Sequence, residues 1–173
     1  MTGTIIFITG GVRSGKSAFA EQLAARIPHE RAYYIATSEA FDDEMKARIA
    51  RHQQDRLARA VQWETIEAPR MMPQLSTRRA VILVECITTW LANAFYYEND
   101  VEQAIAHLLQ AIIAWREAGH AVIVVSNEVL EGEPSPYVET EQYKKRLGLL
   151  HQHMVQLCDE AYEMNFTITQ QWK

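Results

Sequence analysis

The chain has 173 residues, a length that favours one domain over two. Apolar residues make up 48% and charged residues 23%, and a domain of this size buries about 70% of the surface its unfolded chain exposes, so neither a disulfide nor a structural metal is required. The formal net charge of -5 argues against a nucleic-acid coat or a polybasic membrane patch, while leaving room for a local basic pocket that holds phosphates.

In chain order, Thr4 to Thr9 is a short β-branched, almost wholly apolar run, the pattern of a strand buried on both faces. A glycine-rich turn from Gly10 to Gly15 follows. From Lys16 to Ile27, Phe19, Leu23 and Ile27 recur four apart as a helical stripe, which Pro28 stops. Ala32 to Ala36 predicts a second strand. Asp42 and Asp43 open a helix that runs to about Arg56, with acids in its first turn where the helix dipole favours them. A short strand is expected within Val61 to Ile66, and a buried one over Ala80 to Val84, ending in Glu85. Helices are expected over Ile87 to Tyr97 and Val101 to Ala118, the second closed by Gly119. Ala121 to Val125 is a fourth buried strand, residues 128–138 a loop, Thr140 to Glu160 a long helix, and Phe166 to Thr169 a last strand.

Buried strands alternating with helices predict an α/β fold with a mainly parallel sheet in a single domain over residues 1–173. In such sheets ligands bind at the carboxyl ends of the strands, here Thr9-Gly10, Ala36-Thr37-Ser38, Glu85 and Ser126-Asn127-Glu128. Cys86 and Cys158 are far apart and form no CxxC pair, so both are expected as reduced, buried thiols. No stretch approaches the ~18 apolar residues of a transmembrane helix. The first residues lack the basic start, apolar stretch and small-residue cleavage site of a secretory signal, so the cytoplasm is expected.

Gly10-Gly11-Val12-Arg13-Ser14-Gly15-Lys16-Ser17 matches G-x-x-x-x-G-K-[ST] in the strand–loop–helix context that this motif demands. The glycines let successive backbone N–H groups point at phosphate oxygens, and the helix that follows adds its N-terminal dipole. The Lys16 ammonium can reach β- and γ-phosphates, and the Ser17 hydroxyl can ligate Mg²⁺. Glu85 ends an apolar strand at the ligand edge, where a carboxylate can hold Mg²⁺ or its water; the strand-end position favours that role over a plain edge carboxylate or a cap for the helix that begins at Ile87. Arg48, His52 and Arg56 lie at i, i+4 and i+8 and share a helix face. Such a face suits a triphosphate, with arginines on the oxygens and a neutral imidazole between them. The same spacing also fits a solvated basic face balanced by Asp43, Glu44 and Asp55. The remaining histidines show no metal-ligand spacing.

Several motifs in order resemble one family. Besides the phosphate loop, Tyr34-Ile-Ala-Thr-Ser38 resembles its Y-I-A-T-S segment. The run from Asp42 through Met45, Arg48, Ile49 and His52 to Arg56 resembles its D-x-E-M-x-x-R-I-x-x-H-x-x-x-R helix. Trp63-x-Thr65-x-Glu67, Val84-Glu-Cys-Ile-Thr-Thr89 and Ser126-Asn-Glu-Val129 continue the match. The family is adenosylcobinamide kinase / adenosylcobinamide-phosphate guanylyltransferase of cobalamin biosynthesis. The resemblance implies a recombinase-like P-loop fold, with ATP or GTP and Mg²⁺ used to phosphorylate adenosylcobinamide. GMP would then pass from GTP to that phosphate through a guanylylated histidine, which falls on His52. It places GTP contacts on Gly10 to Ser17, on Thr37, Ser38 and Glu39, on Gln53, Gln54, Asp55 and Arg56, and on Glu67 and Glu85. It also implies a homotrimer whose other partner is the corrinoid. The last quarter departs from the family pattern. Lys144-Lys145 stands where an R-D pair is usual, His151 where an asparagine is usual, and Asn165-Phe166-Thr167 where a final V-S-G is usual. Without the resemblance, a kinase of another small metabolite or a nucleotide-binding regulator would fit the same loop.

Overall fold

A computed structural model describes residues 2–39, 43–57, 60–129 and 133–173, and within 43–57 it leaves out the side chains of His52, Gln53, Asp55, Arg56 and Leu57. The elements, in order, are β1 (Thr4–Gly10), α1 (Lys16–Arg26), β2 (Arg31–Ala36), α2 (Asp43–Leu57), β3 (Glu64–Glu67), β4 (Ala80–Val84), α3 (Ile87–Tyr97), α4 (Val101–Glu117), β5 (Ala121–Asn127), α5 (Val138–Leu157), β6 (Glu160–Asn165) and β7 (Ile168–Gln171). The strands form one sheet in the order β3-β2-β4-β5-β1-β6-β7. All neighbours run parallel except β7, which returns antiparallel on β6.

The apolar runs explain the layers. In a strand, successive side chains face opposite sides, so β1 sends Ile5 and Phe7 to one face and Ile6 and Ile8 to the other. On the first face they meet Trp90 and Leu91 of α3, Leu108 and Ile112 of α4, and Leu147 and Leu150 of α5. On the second they meet Ala20 and Ala24 of α1, with Phe19 and Leu23 packed alongside. The expected α/β architecture with a mainly parallel sheet is therefore present. Cys86 and Cys158 are both buried free thiols, as expected from their spacing.

Two local expectations fail at the C-terminal end. The long helix stops at Leu157, and Glu160–Asn165 forms a strand that the sequence pattern did not announce. Its residues, Glu-Ala-Tyr-Glu-Met-Asn, carry little intrinsic strand preference. They are held extended by tertiary pairing with β1, in a register that sets Ile6 opposite Glu160 and Gly10 opposite Met164, with Ala161 and Met164 buried. The last strand is also shifted. Phe166 and Thr167 form the two-residue hairpin connection rather than its start, and β7 runs from Ile168. The short third strand likewise begins later than expected, at Glu64.

Neighbouring leucines on α5 test this placement. Leu150 is buried against the sheet and Leu149 faces outward. Leu150→Ala is expected to cost about 2–5 kcal/mol in urea unfolding, and Leu149→Ala within about 0.5 kcal/mol. Equal losses would contradict this helix orientation.

Candidate functional site

Because six strands run parallel, their carboxyl ends share one edge. Gly10, Thr37, Glu67, Glu85 and Asn127 all come to that edge from β1, β2, β3, β4 and β5. The glycine-rich turn Gly11 to Gly15 leaves β1 there and enters α1 at Lys16. Gly15 has φ 91 and Arg13 φ 58, the left-handed conformations that turn successive N–H groups into a concave cradle. Gly10 has a different reason to be glycine. A Cβ there would stand 2.5 Å from the Met164 carbonyl oxygen and 2.7 Å from Ser14 Oγ. The side chains of Val12, Arg13 and Ser17 are exposed.

Lys16 is almost fully buried, and its Nζ donates to the Gly11 carbonyl at 2.9 Å. Burial pushes its pKa below the usual lysine value, and the nearby Cys86 acts weakly in the opposite direction. A desolvated ammonium over a cradle of N–H groups is a site for multiply charged oxyanions. Two hydroxyls beside the loop, Thr9 Oγ1 and Ser14 Oγ, are buried with no hydrogen-bond partner. Such atoms are costly unless a polar ligand or water meets them.

The other expected residues fall into three groups. Thr37 lies at the edge but is fully buried, and its Oγ1 donates to the Cys86 carbonyl at 2.9 Å, tying the end of β2 to the start of α3. Asn93 Nδ2 donates to the Thr37 and Pro69 carbonyls at 2.8 and 3.0 Å and holds the same corner. Ser38 is half-buried, and Glu39 accepts from Arg70 Nε at 3.2 Å, with the Arg70 guanidinium lying 4.5 Å over the Tyr97 ring. Glu67 is exposed at the end of β3, and Glu85, half-buried, donates its backbone N–H to the Ile35 carbonyl at 3.1 Å. In α2 the backbone is helical through Leu57, so Arg48, His52 and Arg56 occupy register positions one turn apart. Arg48 and Gln54 are exposed; the side chains of His52, Gln53, Asp55 and Arg56 lie outside the description, as do residues 130–132 of the loop after β5.

A buried polar network behind this edge was not visible as a unit in the sequence. The Ser126 hydroxyl hydrogen-bonds Thr88 Oγ1 at 2.8 Å and His151 Nε2 at 2.6 Å, and Asn127 N–H donates to Thr88 Oγ1 at 2.9 Å. Tyr143 OH donates to the Thr88 carbonyl at 2.7 Å. Thr88, Ser126 and His151 come from α3, β5 and α5, so only the fold assembles them. His151, which stands where the family pattern has asparagine, thus fixes the end of β5 next to the phosphate loop. Lys144 is paired with Glu141 at 3.2 Å and Lys145 is exposed.

A parallel sheet with a buried-lysine glycine loop between its first strand and first helix defines a P-loop nucleotide-binding protein. Among known families, the model of "Cobinamide kinase / cobinamide phosphate guanyltransferase" matches residues 6–170, and the chain belongs to that family of enzymes. It is 36% identical, over 91% of its own length and 93% of the relative's, to the bifunctional adenosylcobalamin biosynthesis protein CobU of Salmonella typhimurium. It is 33% identical to CobU of Escherichia coli over the same shares, and 34% identical to CobP of Pseudomonas aeruginosa over 89% of this chain and 88% of that protein. Among solved structures, the flagellar accessory protein FlaH of Methanocaldococcus jannaschii aligns at 16% identity and TM-score 0.47, over 94% of this chain and 71% of that one. A KaiC-like protein of Pyrococcus horikoshii aligns at 12% identity and TM-score 0.45 over the same shares. No described helix is long and apolar enough to cross a membrane.

The half-buried His151 supplies a pH test. Burial lowers its pKa from 6.5 to about 4. Between those values the unfolded chain binds the proton and the folded chain does not, so this contribution is whole above pH 6.5 and is lost as pH falls toward 4. Across that window the loss reaches roughly 3 kcal/mol. Urea unfolding at pH 7 and pH 4.5 should show a steeper loss for the wild type than for His151→Asn, which cannot titrate. Identical pH slopes would show that His151 is not held neutral by burial.

Proposed function

We propose that the chain phosphorylates the hydroxyl of adenosylcobinamide with ATP or GTP, then joins GMP from GTP to that phosphate, giving adenosylcobinamide-GDP and pyrophosphate. The observation that carries the reading is the desolvated Lys16 ammonium over the Gly10 to Ser17 loop, at an edge it shares with Glu85, in a chain of the kinase/guanyltransferase family.

In the first reaction the loop N–H groups and Lys16 bind the β- and γ-phosphates, and Lys16 neutralises charge as the γ-phosphoryl group moves to the acceptor. In the second, the His52 imidazole attacks the α-phosphorus of GTP. A nitrogen–phosphorus bond forms, the bond to the bridging oxygen breaks, and pyrophosphate leaves. The phosphate oxygen of the acceptor then attacks the same phosphorus, and the imidazole departs. A neutral imidazole, with an unperturbed pKa of about 6.5, can both attack and leave near neutral pH. Arg48 and Arg56, one turn either side in α2, serve the charge on the phosphoryl oxygens. Ser38 and Glu39, Gln53 to Arg56 and Glu67 line the guanosine side, with the buried Thr37 supporting Ser38 from behind.

Mg²⁺ fits the oxygen donors present. Ser17 offers a hydroxyl and Glu85 a carboxylate, and among the described residues no group of three or more His, Cys, Asp and Glu forms a separate cage. One or two protein oxygens plus substrate phosphates is the usual Mg²⁺ arrangement. When bound, the ion would withdraw charge from the phosphate oxygens.

GTP labelled at the α-phosphate should mark the protein, and label at the γ-phosphate should not. The adduct should be lost in mild acid, resist base and be absent from His52→Asn. Lys16→Ala should cut turnover at least ~10²-fold while leaving the fold intact. Labelling that persists in His52→Asn would move the nucleophile elsewhere. A wild type that phosphorylates a small metabolite yet never labels would be a kinase without the covalent step.

Assembly as a homotrimer belongs to the same reading. Light scattering should give about three times the 19.9 kDa chain mass, and a monomeric mass at micromolar concentration would refute it.

A further inference from the structure

The β6–β7 hairpin turns in two residues, with Asn165 opposite Ile168. Phe166 and Thr167 between them have φ of 48 and 65. Positive φ at both central positions is the combination that Asn and Gly fill readily in such hairpins. A phenylalanine and a β-branched threonine occupy it against their steric preference. The turn is nonetheless tied down. Thr167 N–H donates to the Ser14 carbonyl at 2.9 Å, and Thr167 Cγ2 lies 3.3 Å from where a Cβ would stand on Gly15. A strained turn is thus anchored on the phosphate loop itself. Its phenylalanine is 92% exposed, the most exposed large apolar side chain among the described residues.

An aromatic ring held in water beside a phosphate cradle offers a planar apolar face to whatever the phosphates carry. Topology sets the direction in which that group lies. Glu85, the carboxylate proposed above for Mg²⁺, follows the end of β4, and β4 lies on the β5 side of β1, so in this reading the terminal phosphates sit toward the β4 side of β1. β6 flanks β1 on the opposite side. A nucleotide whose γ-phosphate faces the β2–β4 edge therefore trails its nucleoside over the β6–β7 turn. That is the polarity of phosphoryl transfer, where the γ-phosphorus must meet the acceptor. In guanylyl transfer the α-phosphorus must meet His52 on α2, which follows β2, so the nucleoside lies on the far side from the turn.

We propose that the Phe166 ring is a purine platform for the nucleoside triphosphate of the phosphoryl-transfer step, stacking on a base whose phosphates lie in the Gly10 to Ser17 loop. The inference rests on the kinase half of the function proposed above. Calorimetry on the full chain with ATP and with inorganic tripolyphosphate tests it. Wild type should bind ATP more tightly than tripolyphosphate. Phe166→Ala should weaken ATP about 5- to 30-fold, the scale of one base–aromatic stack, and leave tripolyphosphate within about 2-fold. Phe166→Tyr should restore ATP binding. The GTP concentration dependence of α-phosphate labelling should be unchanged in Phe166→Ala. Unaltered ATP affinity in that variant would overturn the platform, as would equal weakening of tripolyphosphate, which would mean the turn only shapes the loop. Parallel loss of α-phosphate labelling would overturn its assignment to the kinase step. A change of oligomeric mass with ATP affinity intact would make the turn a contact between copies instead. Failure of wild type to bind either ligand would sink the kinase reading and not the platform alone.

Discussion

The Met164 carbonyl oxygen lies 2.5 Å from where a Cβ would stand on Gly10, and the ligand edge is built on that close approach. β1 is paired on both sides, with β5 through Gly10 opposite Asn127 and with β6 through Gly10 opposite Met164. Two parallel ladders leave no room for a side chain where the strand ends and the loop begins. Only glycine lets the backbone turn away inside that gap, and the turn is what points the loop's N–H groups at phosphate oxygens. Any larger residue would push β6 off β1 or the loop off its cradle.

The same constraint joins the two ends of the chain. The hairpin after β6 rests on Ser14 and Gly15 because β6 itself runs along β1. The family pattern has glycine where Thr167 stands, and the φ of 65 there accounts for it: glycine accepts that angle without strain. The departure from the pattern at Phe166 and Thr167 therefore lies beside the glycine-rich loop, on Ser14 and Gly15. His151 is a second departure with a visible role. Its ring reaches Ser126 and packs edge-on against Phe7 at 5.4 Å between centroids, coupling α5 to the end of β5.

Electrostatics follow from the packing. Lys16 is lowered in pKa by burial and has a carbonyl partner from its own loop, so a phosphate that enters replaces an ammonium–carbonyl contact by an ion pair. Thr37 and Asn93 spend their polar groups on the backbone of the neighbouring corner. That makes the end of β2 a rigid support for Ser38 and Glu39.

Sequence alone determined the layers and the phosphate loop, because both rest on local signals. Apolar β-branched runs such as Ala80 to Val84 and Ala121 to Val125 read as buried strands wherever they occur, and the loop motif specifies its own backbone geometry. Motif resemblance likewise sufficed for the family, since the matching residues lie in short ordered segments. Tertiary structure decided the rest. Glu160–Asn165 has no strand signal of its own and is extended only because β1 offers an unpaired side. The Phe166-Thr167 turn lacks the Asn-Gly signature of its geometry, so no local rule announces it. Thr88, Ser126 and His151 lie 25 to 63 positions apart, and their hydrogen bonds exist only once α3, β5 and α5 meet. Contacts between distant segments depend on where the sheet puts them, which no single stretch of sequence encodes.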